Sequence, residues 1–374
     1  VNARDGVNVG VTTLVVAGVL VASFLRTGWG KDPSAASTPL PTPPAASVPP
    51  GAGSTPSTAL RLVGGSIDPA TVPVRSVDQA LFVAEVIGGE GSGLLVVDAA
   101  TGEWARSDLV STMDGPLLLS PDGRSLVRAV WSPSSGEVGV ETVELGTGTV
   151  HQVAVPEPPD CSVDAVAWAP DGRHLGVVSV CATPNVYPKD PKDPTYATVV
   201  QEVELATGRT FDIERVPGRT PSETYPSYSP DGRLFAYGIS GGTEFEDGES
   251  WGAVRVTPVH GGDAHDWDDV HLVYGDPWRD ATTLLVWDEL ADVLGPDSHA
   301  LLDTTTSTRS PYGIDQLTNL DGFVAGTLLA EQADPCPVTL CSVDLSTGAV
   351  APWLTLPTGM QVVSVSAARS LLAD

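Results

Sequence analysis

The stretch Ser229-Pro230-Asp231-Gly232-Arg233, running into Leu234-Phe235-Ala236-Tyr237-Gly238, sets the fold. It recurs as Ser120-Pro121-Asp122-Gly123-Arg124 before Ser125-Leu126-Val127, and as Ala169-Pro170-Asp171-Gly172-Arg173 before His174-Leu175-Gly176-Val177-Val178. Each copy is a turn with a mechanism. Pro presets φ for the first corner of a type I turn, Asp can bond its own backbone, and Gly accepts the left-handed conformation that returns the chain to a strand. The apolar residues beyond each turn tend to alternate, which predicts half-buried strands.

A second turn type lies between these. Asp98-Ala99-Ala100-Thr101-Gly102, Glu144-Leu145-Gly146-Thr147-Gly148, Glu204-Leu205-Ala206-Thr207-Gly208 and Asp344-Leu345-Ser346-Thr347-Gly348 each follow a short apolar run and read strand, tight turn, strand. Leu301-Leu302-Asp303-Thr304-Thr305-Thr306-Ser307 is a variant without the Gly. Two hairpins alternating at a period of roughly 40–60 residues are the pattern of a propeller blade, four strands per repeat.

These two turns resemble those of the TolB-like (PD40, WD40-like) β-propeller family, over roughly residues 59–374. The resemblance implies an all-β propeller that binds partners through the funnel at one end of its central channel. Reading the blades in order gives six, with seven as the alternative. Trp278-Arg279-Asp280 replaces the Pro-Asp-Gly turn in the fifth. The tail Val362–Leu372 reads as the first hairpin of another blade, expected to complete the N-terminal one, because an open sheet edge invites aggregation.

The chain has 374 residues and a formal charge of −28. Such acidity repels nucleic acid and anionic membrane surfaces and attracts cations and basic partners. Four Cys are present. Cys161 and Cys181 lie ten residues either side of Asp171, so a hairpin places them opposite each other, and Cys336 and Cys341 can close a small loop. This pairing argues for an oxidising compartment.

Residues 1–8 form a short N-terminal segment. Val9 to Leu25 carries no charge and, with Gly6 to Asn8, makes 20 uncharged residues, enough for a membrane-spanning helix. An uncleaved anchor is expected, with a cleaved signal peptide, and hence secretion, as the alternative. Residues 26–58 are rich in Pro, Ser, Thr and Ala and read as a stalk. The disulfides then place the propeller, 59–374, outside the membrane.

Four features bear on chemistry. Gly238-Ile239-Ser240-Gly241-Gly242 matches a nucleophile elbow, but that motif needs a strand entering a helix, and β pattern surrounds this one. An acidic run at 244–249 and a cluster with His260, Asp263, His265, Asp266, Asp268, Asp269 and His271 could hold a metal on a shared rim. Asp263, His265, Asp266 and Asp268 are its candidate ligands and Ca²⁺ its candidate ion; no other cofactor is implied. Lys189-Asp190-Pro191 repeats as Lys192-Asp193-Pro194 in an insertion that lengthens one rim. Trp104, Trp131, Trp168, Trp251, Trp278, Trp287 and Trp353 are expected to fill the layers between sheets.

The sequence therefore reads as a membrane-anchored, extracytoplasmic propeller with a non-catalytic binding or scaffolding role, its partner an envelope protein or small ligand at one propeller face. The alternatives are a metal-assisted lyase or hydrolase with its site in the channel, and a regulatory sensor. Acidic and His side chains from three or more blades meeting in the channel would favour the enzyme.

Overall fold

A computed structural model of the chain describes residues 65–372, except 90, 108, 110–116, 132–137, 154, 156–160, 183–195, 223–224, 245–249, 274, 289–298, 312–319, 325–326, 332–335, 337 and 345–348. The expected membrane span at 9–25 and the linker at 26–58 lie outside the described residues. So do the acidic run from 245 to 249, the Lys-Asp-Pro repeat, and the turn at 345–348. Among the described residues no helix is long and apolar enough to cross a membrane.

Twenty-five described strands form six sheets. β1 (Gly65–Ser66) precedes blade 1, which holds β2 (Ala80–Ile87), β3 (Gly93–Asp98) and β4 (Trp104–Ser107). Blade 2 is β5 (Leu118–Leu119), β6 (Ser125–Trp131), β7 (Val138–Glu144) and β8 (Val150–Val153). Blade 3 is β9 (Cys161–Trp168), β10 (His174–Ala182), β11 (Tyr196–Glu204) and β12 (Arg209–Pro217). Blade 4 is β13 (Ser227–Tyr228), β14 (Leu234–Glu244), β15 (Ser250–Pro258) and β16 (His265–Asp268). Blade 5 is β17 (Val270–Leu272), β18 (Thr283–Asp288), β19 (His299–Asp303) and β20 (Thr308–Pro311). Blade 6 is β21 (Leu320–Val324), β22 (Thr327–Glu331), β23 (Leu340–Asp344) and β24 (Ala349–Thr355). Within each blade the strands run antiparallel in sequence order. The chain is a six-bladed β-propeller, and the seven-blade count is not realised.

The turns form as their residues dictate. In Ser229–Gly232 the Ser229 hydroxyl donates to Asp231 Oδ1 (2.7 Å) and accepts from Leu234 N (3.0 Å), while Gly232 takes φ 72°. Ser120 and Asp122 repeat this arrangement. Where Ala169 replaces the Ser, Asp171 takes over and accepts from both Arg173 N and His174 N. In the Gly-less second turn, Ser307 itself adopts φ 56°, the position held by Gly102, Gly148 and Gly208 in the other copies.

The core is six seams between blades, each an apolar cluster shared by neighbouring sheets. Phe235, Tyr237 and Ile239 pack on Ala167, Val178 and Val200 of blade 3, while Ala236 of the same strand packs on Leu284 and Val286 of blade 5. Leu285 then faces Phe323 and Leu328 of blade 6. The central strands are therefore buried on both faces, not half-buried: every residue from Phe235 to Ile239 and from Ala80 to Val86 is buried. A sheet covered on both sides uses apolar residues at successive positions.

Closure is made twice. β25 (Gln361–Ala367) becomes the innermost strand of blade 1, paired with β2 from Phe82↔Ala367 to Ile87↔Gln361. The tail is thus one strand followed by a helical turn, α1 (Arg369–Leu372), rather than a hairpin. Blade 1 already holds its other three strands, so one strand completes it. On the outside, β1 adds in parallel to β24 of blade 6, and Val74 bridges to Arg106 of blade 1, strapping the same seam. Phe82 meets Trp353 edge-on across that seam at 4.9 Å.

The seam between blades 3 and 4 also carries ions. Arg255 forks onto Glu214 and reaches Asp266, and Tyr237 Oη donates to Glu214 Oε2 (3.0 Å). Burial alone would raise the Glu214 carboxyl, but Arg255 outweighs it and holds it below the usual carboxylate range. Both disulfides form: Cys161 is the register partner of Cys181 at the ends of β9 and β10 away from the Pro-Asp-Gly turn, and Cys336 pairs with Cys341. The first closes a separation of 20 residues; a link of that length stabilises by about 3 kcal/mol through the unfolded chain.

Deleting residues 361–374 removes β25 and opens the ring. The shortened chain should lose its cooperative thermal transition and aggregate, as followed by circular dichroism and light scattering; an unchanged melt would show that the inner closure is dispensable. Gly322, at φ 85°, lets blade 6 approach blade 5 so closely that a Cβ there would lie 2.5 Å from the Asp276 carbonyl oxygen. Gly322→Ala should cost about 2 kcal/mol in urea denaturation.

Candidate functional site

The first strand of every blade faces a central channel, and a cavity of about 70 Å³ lies within it. All six blades contribute to its wall: Val365, Leu118, Trp168, Ser227, Asp276 and Phe323, in blade order. The wall is mostly apolar. Among the described residues Asp276 is its one acidic residue and Arg369 its one basic residue, and no described His lines it.

The residue just before each Pro-Asp-Gly turn ties its blade to the preceding one. Trp168 Nε1 donates to the Leu118 carbonyl at 3.0 Å. Trp278, at the equivalent place in blade 5, donates from Nε1 to the Ser227 carbonyl at 3.2 Å. The turns themselves also touch: Gly232 lies against the ring of Pro170, where a Cβ would come to 3.5 Å. Between blades 1 and 2 the Ala80 N–H donates to the Gly123 carbonyl at 2.7 Å. The turns thus form a ring around one mouth of the channel.

α1 crosses this mouth. Ser370 N donates to the Pro121 carbonyl at 3.0 Å and Ala368 N to the Leu81 carbonyl at 3.0 Å. Arg369 extends over the channel to the far side. Its guanidinium donates to the Tyr228 carbonyl (3.0 Å) and the Ser227 hydroxyl (3.1 Å) in blade 4, and pairs with the Asp276 carboxylate in blade 5. Asp276 Oδ1 also accepts from Trp278 N at 3.2 Å. Burial pushes the Asp276 carboxyl above the usual carboxylate range, in spite of the Arg369 charge beside it.

The residues singled out in the sequence have other places. Asp122, Gly123, Asp171, Gly172, Asp231 and Gly232 build the turn ring. Ser240 lies within β14 and its hydroxyl meets the Thr220 hydroxyl at 3.0 Å, so it sits on no strand-to-helix elbow. His265, Asp266 and Asp268 occupy edge strand β16, whose alternation sends His265 to one face and Asp266 and Asp268 to the other. Asp266 pairs with Arg255 and Arg219, while Asp263 is exposed on the preceding loop. Among the described residues no group of three or more His, Cys, Asp or Glu is placed to hold a metal ion.

Of the aromatics, Trp278 and Trp353 are buried in seams, whereas Trp287 stays 37% exposed, contrary to the expectation that it fills a layer. The side chains of Trp131 and Trp251 lie outside the described residues.

Sequence reasoning missed Asp276, Ser227 and Arg369. One signal was present: Arg369 is the only basic residue after Arg309.

No family model and no curated protein matches the chain. Among solved structures it is similar to TolB from Acinetobacter baumannii, with 13% identity over 78% of this chain and 67% of that one, and a TM-score of 0.45. An oligogalacturonate lyase in complex with manganese shares 16% identity over 75% of this chain and 77% of that one, TM-score 0.46. The Pyrococcus horikoshii acylaminoacyl peptidase shares 12% identity over 77% of this chain, which spans 47% of the peptidase, TM-score 0.46.

Because the folded value of Asp276 is raised, its contribution to stability is greatest at low pH and declines as pH rises from about 4 through that value. Asp276→Asn cannot titrate. The stability of the parent relative to this variant should therefore fall as pH rises above about 4 in urea denaturation. A difference that grows with pH would contradict the raised carboxyl.

Proposed function

We propose that this chain is a non-catalytic binding module of the cell envelope, held at a membrane by residues 9–25 on a Pro-rich stalk, with its propeller extracytoplasmic. The two disulfides support the oxidising compartment. The observation that carries the binding reading is the channel wall: six blades converge on a mainly apolar cavity in which, among the described residues, the one acid is already paired to Arg369. A concave apolar site with a few convergent polar groups suits recognition. Acid–base catalysis would call for a second carboxylate or imidazole beside Asp276, and the described residues of the cavity wall include none. The partner is an envelope protein or small ligand that enters the channel.

The test is selection of ligands from a random peptide library on the folded chain. Selected peptides should bind Ala367→Phe, which narrows the cavity, at least about tenfold more weakly than the parent, and should bind Val150→Thr, on an exposed outer edge, equally well. Peptides indifferent to Ala367→Phe would overturn channel binding.

A further inference from the structure

Arg369 is held in a seat made wholly by other parts of the fold. The seat consists of the Asp276 carboxylate of blade 5 and the Ser227 hydroxyl and Tyr228 carbonyl of blade 4. The acceptors are divided between two guanidinium nitrogens, Nη1 on the Tyr228 carbonyl and Nη2 on the Ser227 hydroxyl and the Asp276 carboxylate, a two-nitrogen span that the single nitrogen of an ammonium does not reproduce. The seat is built independently of its occupant: Asp276 is fixed by Trp278 N and by the close approach of Gly322, and blade 4 is fixed by the Trp278 bond to Ser227.

The occupant is held differently. α1 is four residues long and pairs with no strand. Outside the seat, α1 is anchored by Ser370 N to the Pro121 carbonyl, by Ala368 N to the Leu81 carbonyl, and by Leu371 and Leu372 packed on the blade 1 seams, so the Arg369 side chain can leave the seat while α1 stays in place. The Arg369 and Asp276 side chains keep 29% and 22% of their surface accessible from the cavity and mouth. The whole chain, at −28, draws basic partners toward it.

We infer that the turn-ring mouth of the channel is a receptor for an arginine side chain, filled in cis by Arg369 and open in trans to an arginine presented by a basic polypeptide partner. Arg369 then acts as an internal competitor. A partner arginine displaces the Arg369 side chain from Asp276 and Ser227, while Leu371 and Leu372 keep α1 packed on the blade 1 seams. The apparent affinity for such a partner is lowered by the fraction of molecules in which Arg369 is seated. This deepens the channel-binding reading and rests on it for the identity of the partner, though not for the chemistry of the seat.

The experiment uses the full chain and a blocked arginine, N-acetyl-arginine methylamide, with blocked lysine as control. In Arg369→Ala the seat is vacated. Calorimetry should show saturable binding of blocked arginine with a rise in melting temperature, at least about tenfold tighter than blocked lysine and than binding to the parent. Adding Asp276→Asn should abolish it. A folded Arg369→Ala chain that binds neither compound, or binds both alike, overturns the inference. Should that variant lack a cooperative melt, Arg369→Lys replaces it, since an ammonium fills the fork poorly; arginine binding no tighter than to the parent is then the overturning result. Library peptides that need the channel but show no dependence on arginine in Arg369→Ala would leave channel binding standing and overturn the arginine receptor. Blocked arginine binding to Arg369→Ala, with library peptides indifferent to Ala367→Phe, would support the seat and count against the channel reading.

Discussion

A four-stranded sheet with two apolar faces must be covered on both sides, and in this protein each sheet is covered only by its neighbours. That requirement closes six blades into a ring. Phe235 needs blade 3 and Ala236, the next residue, needs blade 5. Removing any seam exposes two faces at once, so the stability of each blade is bound to that of the whole circle. The seam between blades 6 and 1 is where the chain must join itself. It is reinforced on the inside by the ladder between β25 and β2, on the outside by the pairing of β1 with β24, and in between by Phe82, Trp353 and Leu354.

The same closure creates the channel and its plug. Bringing β25 into blade 1 delivers the residues that follow it to the ring of Pro-Asp-Gly turns, and Arg369 lands opposite Asp276 as a consequence. Two different kinds of polar attachment result. At the flank, Arg255 with Glu214 and Asp266 joins outer strands of neighbouring blades, with Tyr237 completing the bonding, and this network serves packing. At the mouth, Arg369 joins two blades across an opening, and its partner Asp276 sits in an environment that disfavours its charge. A carboxylate in that position keeps its pair tightly or exchanges it for another of the same shape.

The two ends of the channel are built differently. Each disulfide links strand ends away from the turn ring: Cys161 with Cys181 at the ends of β9 and β10, and Cys336 with Cys341 between β22 and β23. The turn-ring end is built from short, repeated, hydrogen-bonded turns with a helical turn laid across them. Away from the turn ring, blades 3 and 6 each carry a covalent link within the blade, whereas at the turn ring the attachments are hydrogen bonds, an ion pair and packing.

The turns, the blade count and both cysteine pairs were legible in the sequence, because each depends on residues close together: a Pro-Asp-Gly corner folds by its own backbone bonds, and a hairpin fixes Cys161 opposite Cys181. Even the Gly-less turn was readable, since Ser307 stands where Gly stands in the other copies. The site was not legible. Asp276 and Arg369 are 93 residues apart, and nothing local to Gly275-Asp276-Pro277 or to Ala368-Arg369-Ser370 marks them as partners. The cluster around His265 shows the opposite relation: residues near in sequence need not converge, since a strand sends neighbouring side chains to opposite faces and His265 lies on the other face from Asp266. The repeat by itself thus determined a six-bladed propeller with stapled hairpins. Only the tertiary structure decided that both faces of each sheet are buried, that one strand and a helical turn complete the ring, and that an arginine closes the channel, because ring closure brings together residues whose chemistry has no local signature.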